Sequence, residues 1–308
     1  MVKTDTAIIG GGPAGLGAAI YTARGNLKTL VFEKALVGGQ IVLTSEVENY
    51  PGFEESVSGF EIVDKMKKQA ERFGTEFVEE QVKDIKTDGK RKIIKTEENE
   101  FDAKTVILAT GAKPRKLNVK GEKKLTGRGV SYCATCDGAL YRDKIVAVVG
   151  GGDAAVEEAL FLTKFAKKVY IIHRRDKLRA VKIAQERAFA NDKIEVIWDS
   201  VIKEIKGDNA VKSVQLYNKK KQEDFELEID GIFIYIGIIP NNKLAKQLGI
   251  KLSPSGFIEV DGNMQTNKPG IYAAGDILEK GLKQVVTAAS DGATAAVAAD
   301  KWIEENFS

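Results

Sequence analysis

Cysteine occurs only twice in this chain of 308 residues, and histidine once. That scarcity excludes a disulfide framework, and a chain of this length buries enough apolar surface not to need one. It also excludes a structural zinc site of the usual Cys/His type, which takes four ligands, so no metal is expected. Charge of one sign is lacking too: 47 basic residues stand against 44 acidic ones, for a formal net charge of +3, and no polybasic tail is present. That balance gives no reason to expect nucleic acid or a membrane surface as partner. Long hydrophobic runs are missing as well. The longest, Gly231 to Pro240, falls far short of the roughly 20 residues that span a bilayer. The short polar start before Thr6 is followed by no signal-peptide core. A soluble cytoplasmic protein is predicted.

What the chain does hold is one plan written twice. The first copy runs through the apolar strand Ala7-Ile8-Ile9, the turn Gly10-Gly11-Gly12-Pro13-Ala14-Gly15, a helix to about Arg24 and a second strand ending at Glu33. The second runs from Ile145 to Val149, through Gly150-Gly151-Gly152-Asp153-Ala154-Ala155, a helix to about Lys164, and a strand ending at His173. Both read as strand-turn-helix-strand units of a parallel sheet, which sets the fold class as α/β. Between them a strand is expected from Phe101 to Lys113, through Ala109-Thr110-Gly111, and then a connection to Gly129. Boundaries near Lys113 and Asn241 divide the chain into residues 1–113, 114–241 and 242–308. The last part is expected to rejoin the first, with a helix from about Gln284 to Trp302.

In a G-x-G-x-x-G turn the first glycine bends the chain, the second lets a pyrophosphate approach the backbone, and the third lets helix pack on strand. Gly10, Gly12 and Gly15 fit, and Glu33 supplies the ribose-binding acid expected about 20 residues on. Gly150, Gly152 and Ala155 fit equally. There, however, the position equivalent to Glu33 is His173, followed by Arg174, Arg175 and Arg179. Cations at that place suit the 2′-phosphate of NADP(H) rather than a bare ribose. The first site, with its acid, suits NAD or FAD. Gly275-Asp276, closing a late apolar strand ahead of an Ala-rich helix, favours the longer FAD.

The two cysteines lie three apart, in Cys133-Ala134-Thr135-Cys136 followed by Asp137-Gly138. Two buried structural thiols would account for such a pair. So would a redox dithiol, because C-x-x-C geometry allows a local disulfide and lowers one thiol pKa toward neutrality. Asp137 is then a candidate proton donor and acceptor.

Together with Gly38-Gly39-Gln40 and Glu48-Asn49-Tyr50-Pro51-Gly52, these motifs make the whole chain resemble the low-molecular-weight thioredoxin reductases of bacteria and archaea. The resemblance implies two Rossmann-like domains, the NADPH-binding domain inserted into the FAD-binding domain, in a homodimer. It implies FAD held by Gly10, Gly12, Pro13, Ala14, Gly15, Glu33, Gly38, Gly39, Gln40, Asn49, Ala109, Thr110, Gly111, Gly275, Asp276, Lys283, Gln284 and Val285. NADPH falls to Gly150, Gly152, Asp153, Ala154, Ala155, His173, Arg174, Arg175 and Arg179. Lys283 stands where the family pattern has Arg, which keeps a cation and loses a bidentate contact. The implied reaction passes electrons from NADPH through FAD to the Cys133–Cys136 disulfide and on to oxidised thioredoxin. Cys136 faces the flavin, Cys133 attacks thioredoxin and Asp137 moves protons. The inserted domain is expected to rotate about hinges near Lys113 and Pro240. The neighbouring readings are a flavin reductase of another thioredoxin-like or peroxiredoxin-system protein, a ferredoxin-driven variant, and a non-enzymatic nucleotide-binding sensor.

Overall fold

In a computed structural model of the chain, residues 1–44 and 47–307 are described, apart from the side chains of Leu43 and Cys136. The chain divides into two compact units, Met1–Lys113 with Ile239–Ser308, and Pro114–Ile238. The second division falls three residues before Asn241, where the sequence places it. The reason is local: Asn241 is tied to the first unit by its N–H to the Gly111 carbonyl, its amide to the Thr110 carbonyl and its own carbonyl to the Thr110 hydroxyl.

The first unit opens with β1 (Val2–Ile9), α1 (Pro13–Arg24) and β2 (Thr29–Phe32), followed by α2 (Gly59–Arg72) and β3 (Glu76–Val78). The hairpin β4 (Asp84–Asp88) and β5 (Arg91–Lys95) leads into β6 (Glu100–Leu108) and the short β7 (Ala112–Pro114). The expected strand from Phe101 to Lys113 is therefore two. Gly111, at φ 62°, turns the chain between them, a conformation that side chains with a Cβ rarely adopt. The fully buried β2 and the far half of β6 read as continuous apolar runs because both faces of this sheet are covered.

The second unit holds α3 (Glu122–Leu125), β8 (Val130–Ser131) and α4 (Ala134–Asp137), then β9 (Ile145–Gly150), α5 (Asp153–Leu162) and β10 (Lys168–Ile172). After α6 (Lys182–Phe189) and β11 (Ile194–Ile197) come the antiparallel β12 (Ser200–Lys206), β13 (Ser213–Asn218) and β14 (Glu223–Glu228), and β15 (Gly231–Tyr235). Its main sheet has the order β11-β10-β9-β15-β8, with every neighbouring pair parallel. The stretch before Gly129 is more than a connection. Glu122, 3% exposed, accepts the Leu117 N–H at 2.8 Å, the Asn118 N–H at 2.6 Å and the Tyr132 hydroxyl at 2.6 Å.

After β16 (Ile238–Pro240), which pairs with β7, and α7 (Lys243–Gln247), the chain completes the first unit with β17 (Ile271–Ala273) and α8 (Val285–Phe307). The strand β17 lies parallel to the far half of β6. The helix α8 runs five residues past Trp302. It is fastened to α1 by missing side chains: a Cβ at Gly17 would stand 2.6 Å from the Ala289 carbonyl oxygen, and one at Gly292 would stand 2.0 Å from that of Ala14.

Lys92 on β5 is 1% exposed. Its ammonium donates to the Lys90 carbonyl at 2.8 Å and lies over the Trp302 ring at 6.0 Å. Burial pulls its pKa from 10.5 to about 8. The folded chain thus releases this proton near pH 8, whereas the unfolded chain holds it to about 10.5, so folding stability gains as pH rises between the two. Urea unfolding midpoints of Lys92→Met should rise less steeply than those of the wild type across that window. Parallel curves would contradict this reading of Lys92.

Candidate active site

The thiol turn is built by its neighbours in sequence. At the end of β8 the Ser131 hydroxyl accepts the Cys133 N–H at 3.0 Å and donates to the Cys133 carbonyl at 3.2 Å. The same carbonyl accepts the Asp137 N–H at 3.2 Å, which closes the one-turn helix α4. The Thr135 hydroxyl stands 3.8 Å from the Cys133 sulfur. Cys133 is half-buried and disulfide-bonded, and no described cysteine is free. The Cys136 backbone belongs to α4, while its side chain lies outside the described residues. Asp137 is half-buried at the last position of α4.

Within the same unit the second glycine turn follows β9. Because β8, β15 and β9 are parallel neighbours, the thiol turn and the glycine turn share the carboxyl edge of one sheet, about 10 Å apart at two strand spacings. That edge is where open α/β sheets bind ligands. A Cβ at Gly150 would lie 2.4 Å from the Tyr235 carbonyl oxygen, and one at Gly152 would meet nothing within 4 Å. The Gly151 carbonyl accepts the N–H groups of Arg179 and Ala180, and an Asp153 carboxylate oxygen accepts the Val181 N–H at 2.7 Å. These bonds drape the segment after β10 over the turn and leave Arg174, Arg175 and Arg179 exposed beside it. Ala154 is exposed and Ala155 buried under the turn.

His173 behaves differently from the cation expected of it. It is 5% exposed, its ring packs beneath Gly151 and edge-on to Trp198, and burial lowers its pKa, with Arg179 and Arg174 adding to the effect. The positive charge of this segment is carried by the arginines.

In the other unit the first glycine turn follows β1. Gly10 sits at φ +112°, and a Cβ on it would lie 2.3 Å from the Ala109 carbonyl oxygen. A Cβ at Gly15 would lie 1.9 Å from the Gly10 carbonyl oxygen, whereas one at Gly12 would meet nothing closer than 3.9 Å. The three expected roles are thus separable: bend, open cradle, close packing. Pro13 opens α1 at its first turn, and Gly12 caps it with extended backbone. Glu33 accepts the N–H groups of Gly11, Lys34 and Ala35. The Gly38 N–H donates to the Gly11 carbonyl, and Gly39 approaches Gly12.

Gly275 packs against Ala14 on the first turn of α1, which brings Asp276 to the same place. Asn49 donates to Gln284 at 3.2 Å, and Gln40 donates to the Ala112 carbonyl at 2.7 Å. Val285 begins α8. Gly10, Glu33, Thr110 and Asn241 border a cavity of about 450 Å³. Lys283 turns inward: its ammonium donates to the carbonyls of Asp276 and Leu278 and lies 4.1 Å over the Phe257 ring. It braces its own loop.

The pyridine nucleotide-disulphide oxidoreductase model matches residues 4–292, nearly the whole chain. The chain belongs to that family. A thioredoxin reductase of Peptoclostridium acidaminophilum is 52% identical over 309 aligned residues, covering 98% of each chain, and that of Bacillus subtilis is 50% identical, covering 98% of this chain and 95% of the other. The solved thioredoxin reductase of Lactococcus lactis is 49% identical, covers 98% of this chain and 99% of the other, and superposes with a TM-score of 0.95.

Members of this family hold two dinucleotides, and both places fit them. In the first unit Gly12 leaves an open cradle, and one buried carboxylate oxygen of Asp276 has no partner among the described residues. Burial raises the pKa of that carboxyl, and its buried oxygen is one that a donor from outside the chain would satisfy. In the second unit Gly152 leaves the cradle, the arginines stand exposed at its edge, and the buried Nε2 of His173 is likewise unpartnered among the described residues.

Sequence reasoning missed Glu122 and Tyr235. Glu122 orders the approach to Cys133, and the Tyr235 hydroxyl accepts the Ala134 N–H at 2.8 Å. Neither belongs to a motif, and their partners lie across loops or across the sheet.

Two glycine variants separate packing from binding. Gly15→Ala should lower the stability of dinucleotide-free protein in urea by about 1–3 kcal/mol, the usual cost of overpacking. Gly12→Ala should change it by less than about 1 kcal/mol, the scale of an N-cap substitution, yet yield protein purified with little bound dinucleotide. Equal stability loss in both would contradict the division of roles.

Proposed function

We propose that the protein is an NADPH-dependent thioredoxin-disulfide reductase and a flavoprotein, with Cys133 and Cys136 as its redox pair. The observation that carries this reading is the disulfide-bonded Cys133 on the same sheet edge as a glycine turn flanked by exposed arginines. Its relatives at about half identity, themselves named thioredoxin reductases, agree.

FAD, bound in the first unit, supplies two-electron transfer between a nicotinamide and a disulfide. The chain's own residues do the rest. Gly10, Gly12 and Gly15 with the start of α1 would receive its pyrophosphate, Glu33 its ribose, and Asp276 would offer it the buried oxygen that has no partner among the described residues. Gly150 and Gly152 receive the NADPH pyrophosphate, and Arg174, Arg175 and Arg179 pair with its 2′-phosphate. Asp137, two electrons having entered the disulfide, supplies and recovers the proton of the exchanging thiol. The Cys133 thiolate attacks the thioredoxin disulfide, forming a mixed disulfide and releasing one thioredoxin thiolate, and Cys136 then attacks Cys133, re-forming the Cys133–Cys136 disulfide and releasing thioredoxin as a dithiol. Because the pair must meet first the flavin and then a protein, the unit from Pro114 to Ile238 rotates between two positions.

A homodimer and a cytoplasmic location belong to the same proposal. Exposed Tyr21 and Val297 beside the groove along α1 and α8 give the dimer a candidate surface. No helix among the described residues is long and apolar enough to cross a membrane.

The reading is tested with Cys136→Ser: its flavin should still be bleached by NADPH while thioredoxin turnover falls to background, and unchanged turnover would overturn it. Replacing Arg174 or Arg175 with Ala should raise the KM for NADPH roughly tenfold to a hundredfold, from about 1.5–3 kcal/mol per charge-assisted bond. KM for NADH should hardly move. An equal rise for both nucleotides would remove the 2′-phosphate assignment.

A further inference from the structure

Tyr235 is the last residue of β15, between the strand that leads to the thiol turn and the strand that leads to the glycine turn. It touches both. Its main-chain carbonyl oxygen occupies the space a Cβ of Gly150 would need, at 2.4 Å. Its side chain leaves the end of the strand in the other direction, and the hydroxyl accepts the N–H of Ala134, the residue after Cys133, at 2.8 Å. Ala134 itself is fully buried, so without the phenol its N–H would face no water. A buried donor left unpaired costs far more than an average hydrogen bond contributes.

Two carboxylates act on this hydroxyl through their charge: Glu158 from α5 and Asp137 from α4. Burial first, and then these two carboxylates, raise the phenol's pKa and hold it neutral. Glu158 is itself pushed up to about 7 by burial and by Glu157. The hydroxyl therefore stays a neutral acceptor toward Ala134 throughout the ordinary pH range.

We propose that Tyr235 is a positioning residue for the redox pair: by taking the Ala134 N–H it favours the disulfide form of the Cys133 turn and fixes that turn to the strand supporting the nucleotide-binding glycines. The proposal rests on the disulfide-reductase reading given above. The preference for the disulfide follows from what each state offers the N–H. Reduction puts two electrons into the S–S bond, and the two sulfurs end as thiols or, after loss of a proton, a thiolate. A thiolate at Cys133 is itself an acceptor for nearby backbone N–H groups. The disulfide sulfur carries no such charge, so in that state the phenol is the acceptor available.

Tyr235→Phe keeps the ring and the main-chain carbonyl and removes only the oxygen. Equilibrated with dithiothreitol redox buffers and read by alkylation of free thiols, the variant should favour the dithiol about tenfold more than the wild type. That is about 30 mV toward a more oxidising couple for two electrons. Flavin bleaching by NADPH should keep its wild-type rate.

A dithiol–disulfide equilibrium within about twofold of wild type, too small a change for a lost buried hydrogen bond, would overturn the proposal. So would loss of NADPH bleaching in the variant, which would place the effect at the nucleotide turn. Should the variant fail to fold, hydrogen exchange decides on the oxidised wild-type protein: the Ala134 amide must be strongly protected, and exchange at the rate of an open loop amide overturns the assignment. Wild-type enzyme without any NADPH-driven disulfide reduction would instead remove the functional reading beneath the proposal. Neither the thiol equilibrium nor the amide protection depends on that result.

Discussion

Backbone-to-backbone contact is the constraint on which the rest of this structure depends. Where α1 leaves β1, a single methyl group at Gly15 would sit 1.9 Å from the Gly10 carbonyl oxygen, and one at Gly292 would sit 2.0 Å from that of Ala14. The first contact lets a helix start directly on a strand end, so its N–H groups converge on one point above the sheet. The second draws α8, from the far end of the chain, onto the same helix. Gly275 then arrives beside Ala14 and brings Asp276 with it. The candidate binding place in the first unit is therefore a consequence of packing without side chains, and Gly12, where an added Cβ would meet nothing closer than 3.9 Å, is the position that packing leaves open.

The second unit applies the same device to a different end. Its glycine turn and its thiol turn are both strand ends of one parallel sheet, so their separation is set by strand spacing rather than by loop conformation. Hydrogen bonds then refine each turn: Ser131 and Asp137 for the thiols, Asp153 and the Gly151 carbonyl for the arginine segment. A thiol turn held on such an edge is oriented by the sheet rather than by its own loop.

These two kinds of feature are not equally visible in the amino-acid order. Glycine turns are legible because a local steric demand admits one residue type, and the spacing of Gly10, Gly12 and Gly15 records three separate demands within one turn. The cysteine spacing is legible for a chemical reason, because two thiols three residues apart can close a local disulfide. The strand break after Leu108 is easily missed because Gly111, which turns the chain at φ 62°, follows directly on an apolar run, and the Thr110–Asn241 hydrogen bonds that fasten the turn come from far along the chain. Glu122 reads as one more charge in a Lys-rich stretch, yet it is buried and takes three donors brought together by tertiary folding. His173 stands in a basic run and so reads as a cation. Its burial under Gly151 depends on a contact across the unit that no local pattern announces.

The central claim is a relay from a nicotinamide to a protein disulfide through the Cys133 turn. Anaerobic stopped-flow mixing of the purified wild-type protein with NADPH, followed by oxidised thioredoxin, tests it most directly. The account predicts that the flavin absorbance bleaches, more slowly with NADH, and recovers when thioredoxin is added, with thioredoxin thiols appearing in step. A flavin that NADPH leaves unbleached, or one that bleaches and does not recover on adding thioredoxin, would contradict it.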